Sequence, residues 1–175
     1  TELMKAGSGL TFPGLTQSLL SCLAQQARDQ GLGRLSLVGG AVRDALLHHR
    51  FQDPWRAPPD LDLVIEGSCD ALVHRLQDTF GPQRVSNVLF HQQFSTAELV
   101  MDGVLLDLAD ARTETYPAPG QNPIVQSGVL GEDLARRDFT INAMALVLQS
   151  DGSQLLMDPH GGQQHLASRL LVFLH

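Results

Sequence analysis

The sequence predicts an α/β (α+β) domain built on one mixed sheet with flanking helices. Short strand-like runs rich in Leu, Val and Ile alternate with amphipathic helical segments. Two Asp-Gly pairs, Asp102-Gly103 and Asp151-Gly152, each separate two alternating segments, which is a strong hairpin signal. Because hairpins pair neighbouring strands antiparallel, this order does not suit a repeated βαβ doubly wound fold.

Composition is that of one folded domain. The chain has 175 residues and is 43% hydrophobic, which is enough for one core. The formal net charge of −7 argues against a broad surface that coats nucleic acid. Lys5 is the sole lysine beside 11 arginines, and arginine is the better residue for bidentate phosphate contacts, although high-GC coding would give the same bias.

The first half of the chain shows a regular succession of elements. A helix is predicted from Leu15 to a stop at Gly31, followed by a strand over 34–40 that enters a glycine turn, and a helix over 41–49. A polar loop with Pro54, Pro58 and Pro59 leads into the strand-like segment 59–67. An amphipathic helix over 69–81 follows, with Leu72, Leu76 and Phe80 on one stripe.

The second half contains the two hairpins and a long connection. From Thr113 to Val129 the residues Pro, Gly, Gln and Asn dominate, so we expect a long, mobile loop. A helical segment then precedes the second hairpin. The last segment, from Gln163, begins as a helix or strand and has no terminator.

Asp60 and Asp62 form an acidic pair at the front of the 59–67 strand. Side chains two apart on a strand share a face, so the pair lies about 7 Å apart at its roots and needs compensation. Asp107 in the first hairpin shares a face with Leu105 and Ala109, which makes that face largely apolar and a carboxylate costly there. Three such carboxylates would suit Mg²⁺, whereas for Asp60 and Asp62 alone plain exposure to water is an equal alternative.

Gly39 and Gly40 lie between a strand and a helix that carries Arg43 and Asp44. Such glycines let backbone N–H groups approach an anion at the N-terminus of a helix. A simple change of chain direction is the commoner role of a Gly-Gly turn. Neither G-x-G-x-x-G nor G-x-x-x-x-G-K-[ST] is present, which argues against the two common nucleotide fingerprints.

The segment "LARRDFTINAMA" is the third candidate for chemistry. Arg136 and Arg137 suit a triphosphate or an ordinary solvated pair, and Asp138 is predicted to cap a helix. Asn142 stands in an apolar run, where a buried amide needs a partner.

Other features point to the cytoplasm. Cys22 and Cys69 lack metal or redox spacing and are interpreted as free thiols of a reducing compartment. The first residues lack the pattern of a signal peptide, and the apolar runs are too short to span a membrane. No membrane partner is therefore expected.

Five segments, taken together and in order, resemble one family. They are "LVGGAVRD", "DLDLV", "LDLADAR", "DLARRDFTINAMA" and "DPHGG", and they run from Leu35 to Gly162. The family is that of the class II tRNA nucleotidyltransferases (CCA-adding enzymes) and bacterial poly(A) polymerases, of the polymerase-β-like superfamily. The resemblance implies a head domain over 35–162 with a mixed sheet of roughly five strands and helices on one side. Residues 1–34 would be an N-terminal helix leading into it, and residues 163–175 the start of a connection to a helical neck.

The resemblance also implies a role for each candidate residue. Asp60, Asp62 and Asp107 would be catalytic and bind Mg²⁺, although the family often has Glu in the third place. The "DPHGG" segment, with His160 in place of Phe, would be structural. The nucleotide-binding set would be Gly39, Gly40, Arg43, Asp44, Arg136, Arg137, Asp138 and Asn142.

The implied reaction is transfer of AMP or CMP from ATP or CTP to the 3′-hydroxyl of RNA, with tRNA as the expected acceptor. Pyrophosphate would be released. The base-selecting E-D-x-x-R motif of the family's neck is not found after Gly162, so we expect an excised head, a short paralogue or one piece of a split enzyme with a separate neck and body. The alternatives are a poly(A) polymerase and a stand-alone nucleotide-binding or regulatory module. A nucleotidyltransferase acting on protein or an antibiotic would not explain "RRDFTINAMA".

Overall fold

The centre of the fold is a mixed sheet whose strands come from every part of the chain. In the computed structural model the described residues are 3–5, 9–55, 60–115, 118–120 and 124–175, with backbone alone described at 3–5, 113–115 and 124–127. The strands are β1 Leu3–Lys5, β2 Leu35–Val38, β3 Asp62–Ile65, β4 Val85–His91, β5 Thr96–Met101, β6 Val104–Asp110, β7 Arg112–Thr115, β8 Ile124–Ser127, β9 Ala145–Leu148 and β10 Gln154–Met157.

Five α-helices and two short 3₁₀ turns connect these strands within the described residues. The helices are α1 Gln17–Asp29, α2 Gly40–Phe51, α3 Cys69–Phe80, α4 Leu130–Ala135 and α5 Gly162–Ala167, and the 3₁₀ turns are Gln92–Phe94 and Thr140–Asn142. Helix α1 is capped by Thr16 and α3 by Ser68, whose side chains accept hydrogen bonds from the amides of Leu19 and Ala71.

The described strands form an eight-stranded sheet in the order β1-β10-β9-β2-β3-β6-β5-β4. Both predicted hairpins are confirmed, as β5–β6 and β9–β10. The pairing of β3 with β6 is parallel, and the other pairs are antiparallel, so the sheet is mixed as expected. The sheet has three strands more than the roughly five that were expected. Two of its strands were not predicted, namely β1, which pairs with β10, and β4, which pairs with β5.

Strand β4 carries no clean alternation of apolar and polar residues. The register of β4 against β5 shifts between Ser86 and Leu89, and Asn87 has a positive φ of 53°. A bulge of this kind inserts residues without partners and breaks the period of two by which strands are recognised. The irregular pattern explains why this strand was missed.

The helices cover the two faces of the sheet unequally. Helices α1, α2 and α3 pack against one face and bury the main apolar core, in which Leu37, Leu63 and Leu106 are fully buried. On the other face Leu130 and Leu134 of α4 pack on Val38, Val64, Ala145, Val147 and Met157. The expectation of helices on one side is therefore wrong, because α4 covers part of the second face.

The part of that second face on β4, β5 and β6 is not covered in the same way. Leu89 and Leu105 are 52% and 58% exposed, and Glu98 and Asp107 lie on this side of their strands, opposite the buried Leu99 and Leu106. Among the residues whose side chains are described, α4 therefore covers one part of the second face, and the part that carries Leu89 and Leu105 is exposed.

The segment 113–129 is not simply the long loop that was expected. Strands β7 and β8 pair antiparallel as a separate two-stranded sheet, with Arg112 opposite Ser127 and Thr115 opposite Ile124. Positions 116–117 and 121–123 lie outside the described residues. The same holds for Pro58 and Pro59, so the expected polar loop before β3 is described only in part.

Glu66 ties three segments together just after β3. It accepts hydrogen bonds from Nε and Nη2 of Arg34 at 2.8 and 3.0 Å, and from the amides of Arg34 and Leu130 at 3.0 and 2.8 Å. Desolvation raises the pKa of Glu66, but these hydrogen bonds outweigh it and lower that pKa to about 2. The ionised carboxylate thus fixes the start of β2 and the start of α4 against the end of β3.

We predict that Glu66→Gln destabilises the fold at pH 7 by about 2 kcal/mol, after allowance for solvent screening. Since the pKa of Glu66 is lower in the folded state than its ordinary 4.5, its contribution is complete above about pH 5 and is lost as the pH falls toward 2. Urea unfolding at pH 7, 4 and 2.5 should show the difference between the wild type and the variant shrink with acidity. Asp102→Asn, at the exposed Arg84–Asp102 pair, is the matched control and should change stability much less. A difference for Glu66→Gln that is independent of pH would contradict this account.

Candidate functional site: two cavities beside a row of carboxylates

Asp62 and Asp107 stand side by side at the parallel junction of the sheet. In the β3–β6 pairing Asp62 is the partner of Asp107. Strand β3 begins at Asp62, so Asp60 precedes the strand rather than lying inside it, but its charge still reaches both other carboxylates. The structure therefore brings Asp62 and Asp107 together, with Asp60 near enough for its charge to raise the pKa of both.

The electrostatics of this junction show mutual repulsion. The pKa of Asp62 is raised by desolvation and then by the charges of Asp107 and Asp60, while Arg137 lowers it. The pKa of Asp107 is raised by desolvation, then by Glu98 and Asp60, while His91 lowers it. The junction therefore favours anything that brings positive charge or hydrogen-bond donors to it.

Asp107 shares a face with Leu105 and Ala109, as the alternation predicts. Leu105 is 58% exposed, whereas the neighbouring Leu106 and Leu108 are buried on the opposite face. The apolar residue beside Asp107 thus lies on a partly exposed face. The cost of placing a carboxylate there is correspondingly smaller.

A polar cavity of about 460 Å³ opens on one side of Asp62. It unites both glycines of the turn with the arginines of the "RRD" segment, although these lie about a hundred positions apart in the chain. Its lining residues are Gly39, Gly40, Arg43, Asp62, Arg136, Arg137, Asp138 and Asn142.

The glycine turn places the N-terminus of α2 at this cavity. Gly39 has φ 73° and ψ −142°, a conformation that side-chain-bearing residues rarely adopt, and it directly precedes α2. A Cβ on Gly39 would come within 3.8 Å of Nη1 of Arg137, and a Cβ on Gly40 within 3.1 Å of Nη2 of Arg43. The first amides of α2 thus lie beside two guanidinium groups, which suits an anion.

Arg43 links the glycine turn to the "RRD" segment. Its Nη1 donates to Oδ1 of Asn142 at 2.9 Å, and its Nε donates to Oδ1 of Asp44 at 2.9 Å. The partner that the Asn142 amide was expected to need is therefore Arg43. Asp44 itself does not line either cavity and acts on the site through Arg43.

Asp133 orients both arginines and was missed from the sequence. It is buried, and its carboxylate accepts from Nη2 of Arg136 at 3.2 Å, from Nη2 of Arg137 at 3.1 Å and from the amide of Arg112 at 3.1 Å. The i, i+3 and i, i+4 spacing of acid and arginines in "DLARR" was a usable signal. These hydrogen bonds hold both arginine side chains in the wall of the cavity, so the two are not an ordinary solvated pair.

Asp138 does not cap a helix as predicted. Phe139 precedes the 3₁₀ turn Thr140–Asn142, and no side chain caps it. The segment is held instead from the chain end, since the amide of Thr140 donates to the carbonyl of Val172 at 3.0 Å and that of Leu174 to the carbonyl of Asp138 at 2.8 Å. Asp138 is thereby left exposed at the cavity.

The "DPHGG" segment packs against the 3₁₀ turn Thr140–Asn142 beside the cavity. Asp158 accepts from the amides of Gly162 and Gln163 at 2.7 and 3.0 Å and so caps α5. A Cβ on Gly162 would approach the carbonyl oxygen of Thr140 to 2.5 Å, which leaves room only for glycine. These contacts are structural, in keeping with the interpretation of this segment from its sequence.

A second cavity, of about 310 Å³, opens on the other side of Asp62 over β5 and β6. Asp107, Glu98 and His91 line it, and Asp62 and Arg137 line both cavities. Glu98 is the cross-strand partner of Asp107, so Glu98, Asp107 and Asp62 form one row across three neighbouring strands. We name these three residues the carboxylate row.

The carboxylates suit Mg²⁺ by their chemistry. Hard carboxylate oxygens are its preferred ligands, and desolvation together with neighbouring negative charges raises the pKa of Asp62 and Asp107. Among the described residues, no group of three or more His, Cys, Asp or Glu side chains is gathered as a metal site.

Within the described parts of the chain, no helix is both long and apolar enough to cross a membrane.

The mixed sheet, the acidic residues at its parallel junction, the glycine turn and the paired arginines have the arrangement that the resemblance to the nucleotidyltransferase heads implies. The sequence model of the family described as the poly A polymerase head domain matches residues 35–172. The chain belongs to this family, together with the CCA-adding enzymes that it resembles.

Comparison with individual proteins agrees with this assignment. The chain is 45% identical over 142 residues to a CC-adding tRNA nucleotidyltransferase of Deinococcus radiodurans, covering 81% of this chain and 35% of that protein. It is 40% identical over 142 residues to an A-adding tRNA nucleotidyltransferase of Aquifex aeolicus, covering 81% of this chain and 16% of that one. The chain thus spans about a third or less of the length of these relatives.

A solved structure with bound substrates has the same fold. It is a tRNA nucleotidyltransferase complexed with a primer tRNA and an incoming ATP analog, and it matches with a TM-score of 0.67 and 37% identity. The match covers 87% of this chain and 39% of that one.

We predict that Asp107→Asn lowers the pKa of Asp62 toward its ordinary value, because it removes a neighbouring negative charge. Carboxylate-selective NMR titration of the protein without added metal measures this pKa directly. Asp78→Asn removes a charge from an exposed position of α3, on the far side of the sheet, and should leave the pKa of Asp62 in place. An unchanged pKa in Asp107→Asn would show that the two carboxylates are not coupled.

Proposed function

We propose that this chain is the catalytic head of a template-independent RNA nucleotidyltransferase. It transfers AMP or CMP from ATP or CTP to the 3′-hydroxyl of RNA, with tRNA as the acceptor, and releases pyrophosphate. The observation that carries the proposal is the polar cavity in which the glycine turn, Arg43, Arg136 and Arg137 converge on Asp62. Family membership and the relatives' names support tRNA as the acceptor.

The polar cavity is the proposed site of the triphosphate. The amides at the start of α2, which follow Gly39, and the guanidinium groups of Arg136 and Arg137 neutralise its charge. Arg43 is fixed between Asp44 and Asn142 and so can contact phosphate with little loss of side-chain entropy. Most of the catalysis is positioning and electrostatic stabilisation, as in phosphoryl transfer generally.

Asp60, Asp62 and Asp107 are the residues that would hold Mg²⁺. When bound, the ion would lower the pKa of the RNA 3′-hydroxyl and offset charge on the α-phosphate. Asp62 lines both cavities, so it is placed between the nucleotide and whatever enters the second cavity. Arg137 accompanies it there and supplies fixed positive charge at the same point.

We propose residues 35–162 as the nucleotidyltransferase head, with residues 1–34 leading into it and residues 163–175 beginning a connection to a neck and body. The match of the family model from residue 35 supports the first limit, and its extension to residue 172 places part of the last segment with the head. Since both substrates of the reaction are cytoplasmic molecules, we place the protein in the cytoplasm.

The product is proposed as CC, A or CCA at a tRNA end. Relatives of nearly equal identity are named as CC-adding and as A-adding enzymes, so the head is compatible with either nucleotide. Incubation with Mg²⁺, labelled ATP or CTP, and tRNA ending before its first C, after it, or after the second C decides which addition occurs. Runs longer than three nucleotides would favour a poly(A) polymerase instead. Binding of nucleotide without extension would identify a nucleotide-binding module that needs further domains.

Replacement of Asp62 or Asp60 by Asn should reduce transfer by at least about 10²-fold, because a group acting on the developing transition-state charge is lost. Circular dichroism should show an unchanged fold, since both side chains are exposed. Single-turnover incorporation into tRNA measures the effect, with Asp78→Asn as a control of equal charge change. Near-normal turnover in Asp62→Asn would refute its assignment as a metal ligand.

A further inference from the structure

The second cavity contains chemistry that the triphosphate does not use. It lies over β5 and β6 and is lined by His91, Thr96 and Glu98 in addition to Asp107, Asp62 and Arg137. None of the first three residues lines the polar cavity. A ligand in the second cavity would therefore meet the nucleotide at Asp62 and Arg137.

Glu98 extends the carboxylate row away from the proposed metal ligands. It pairs with Asp107 across β5 and β6, and like charges directly opposite one another in a sheet are destabilising. Its described ionic contact is distant, with His91 Nε2 at 3.9 Å from Oε2, and its side chain is 38% exposed. Glu98 thus retains free acceptor capacity directed at the open half of the sheet.

We propose that Glu98 is a specificity-determining residue that accepts a hydrogen bond from the 2′-hydroxyl of the terminal ribose of the RNA acceptor. This inference rests on the proposed function, which places the 3′-hydroxyl of that ribose at Asp62 and Asp107.

The covalent geometry of ribose supports this assignment. The 2′- and 3′-hydroxyls are attached to adjacent carbons, and adjacent strands of a sheet lie about 4.8 Å apart. With the 3′-oxygen at Asp62 and Asp107, a 2′-oxygen turned toward β5 comes within reach of the long Glu98 side chain on the neighbouring strand. Carboxylates accept and do not donate, so they suit hydroxyl groups and repel phosphate.

The consequence is discrimination between RNA and DNA ends. A 2′-hydroxyl is the group by which a protein distinguishes RNA from DNA at a given position. With a deoxyribose end, Glu98 would face Asp107 without a donor and its desolvation would be uncompensated. The catalytic carboxylates would be unaffected by that difference.

The test is an equilibrium titration by ¹H–¹⁵N NMR with no nucleotide added. The probes are a cytidine trinucleotide ending in ribose and the same trinucleotide with 2′-deoxyribose at its 3′ end. For the wild type we expect about tenfold weaker binding of the deoxy-ended probe, as for loss of one hydrogen bond to a charged group. The amides of Thr96, Ala97 and Glu98 should shift with the ribose-ended probe.

Variants assign the effect to the side chain. Glu98→Ala should bring the two probes to within about twofold of each other, and Glu98→Gln, whose amide oxygen still accepts, should lie between. Asp78→Asn removes an equal charge on the far side of the sheet and should retain the tenfold preference. The remaining amide resonances report whether each variant is folded. If Glu98→Ala does not fold, the comparison of the two probes is made with Glu98→Gln alone.

Equal affinities of the wild type for both probes would overturn the inference. A preference that survives Glu98→Ala, or a ribose-ended probe that does not bind or does not shift β5, would also overturn it. The proposed function is tested separately by titration with ATP and Mg²⁺, which should shift the amides of Gly39 and Gly40, and by transfer to tRNA. If ATP with Mg²⁺ did not shift Gly39 and Gly40 and no transfer to tRNA occurred, the proposed function would be refuted. A ribose preference that persisted in that case would still assign the 2′-hydroxyl contact to Glu98.

Discussion

The parallel pairing of β3 with β6 is the constraint on which the rest of the site depends. It sets Asp62 beside Asp107, where desolvation raises the pKa of both carboxyl groups and the charge of Asp107 raises that of Asp62 further. No hairpin can make this contact, because parallel strands need a crossover, and here α3, β4 and β5 provide it. Positive charge offsets part of the repulsion: Arg137 lowers the pKa of Asp62, and Asp133 in turn fixes Arg137.

Asp133 illustrates how a buried charge can serve a site that it does not touch. Its carboxylate is 1% exposed and joins two guanidinium groups and one backbone amide. Burial of such a group is costly unless each of its acceptor positions is used, and here several are. The arrangement orients the side chains of Arg136 and Arg137, since both follow one short helix and line the same cavity.

The predictable part of the fold consisted of elements whose pattern is local. The amphipathic helices, the two Asp-Gly hairpins and the glycine turn before α2 were all predictable from the sequence, because caps, turn residues and periodicity act within a few positions. Strand β4 was missed because a bulge breaks its period, and the β7–β8 pair was missed because Pro and Gly dominate that segment. The extent of the sheet also depended on β1, whose three residues carry too little pattern to predict.

For the site, the residue types were predictable but not their surroundings. The residues that line the polar cavity were named from their motifs, yet the Asp138 cap was wrong, since the chain end rather than a helix holds that segment. Alternation placed Asp107 on the same face as Leu105, but it cannot tell which side of a sheet is covered, so the exposure of Leu105 was not predictable. Glu98 could have been found, since a two-residue turn at Asp102-Gly103 places position 98 opposite 107 by counting alone.

The unequal cover of the second face of the sheet has a directional consequence. Helix α4 closes the half over β2, β3 and β9, so a large molecule cannot reach the carboxylate row from that side. Among the described residues, the exposed surface beside the row is that of β4, β5 and β6, where Leu89 and Leu105 are exposed. A ligand too large for the cavities would therefore make its further contacts on these strands rather than on α4.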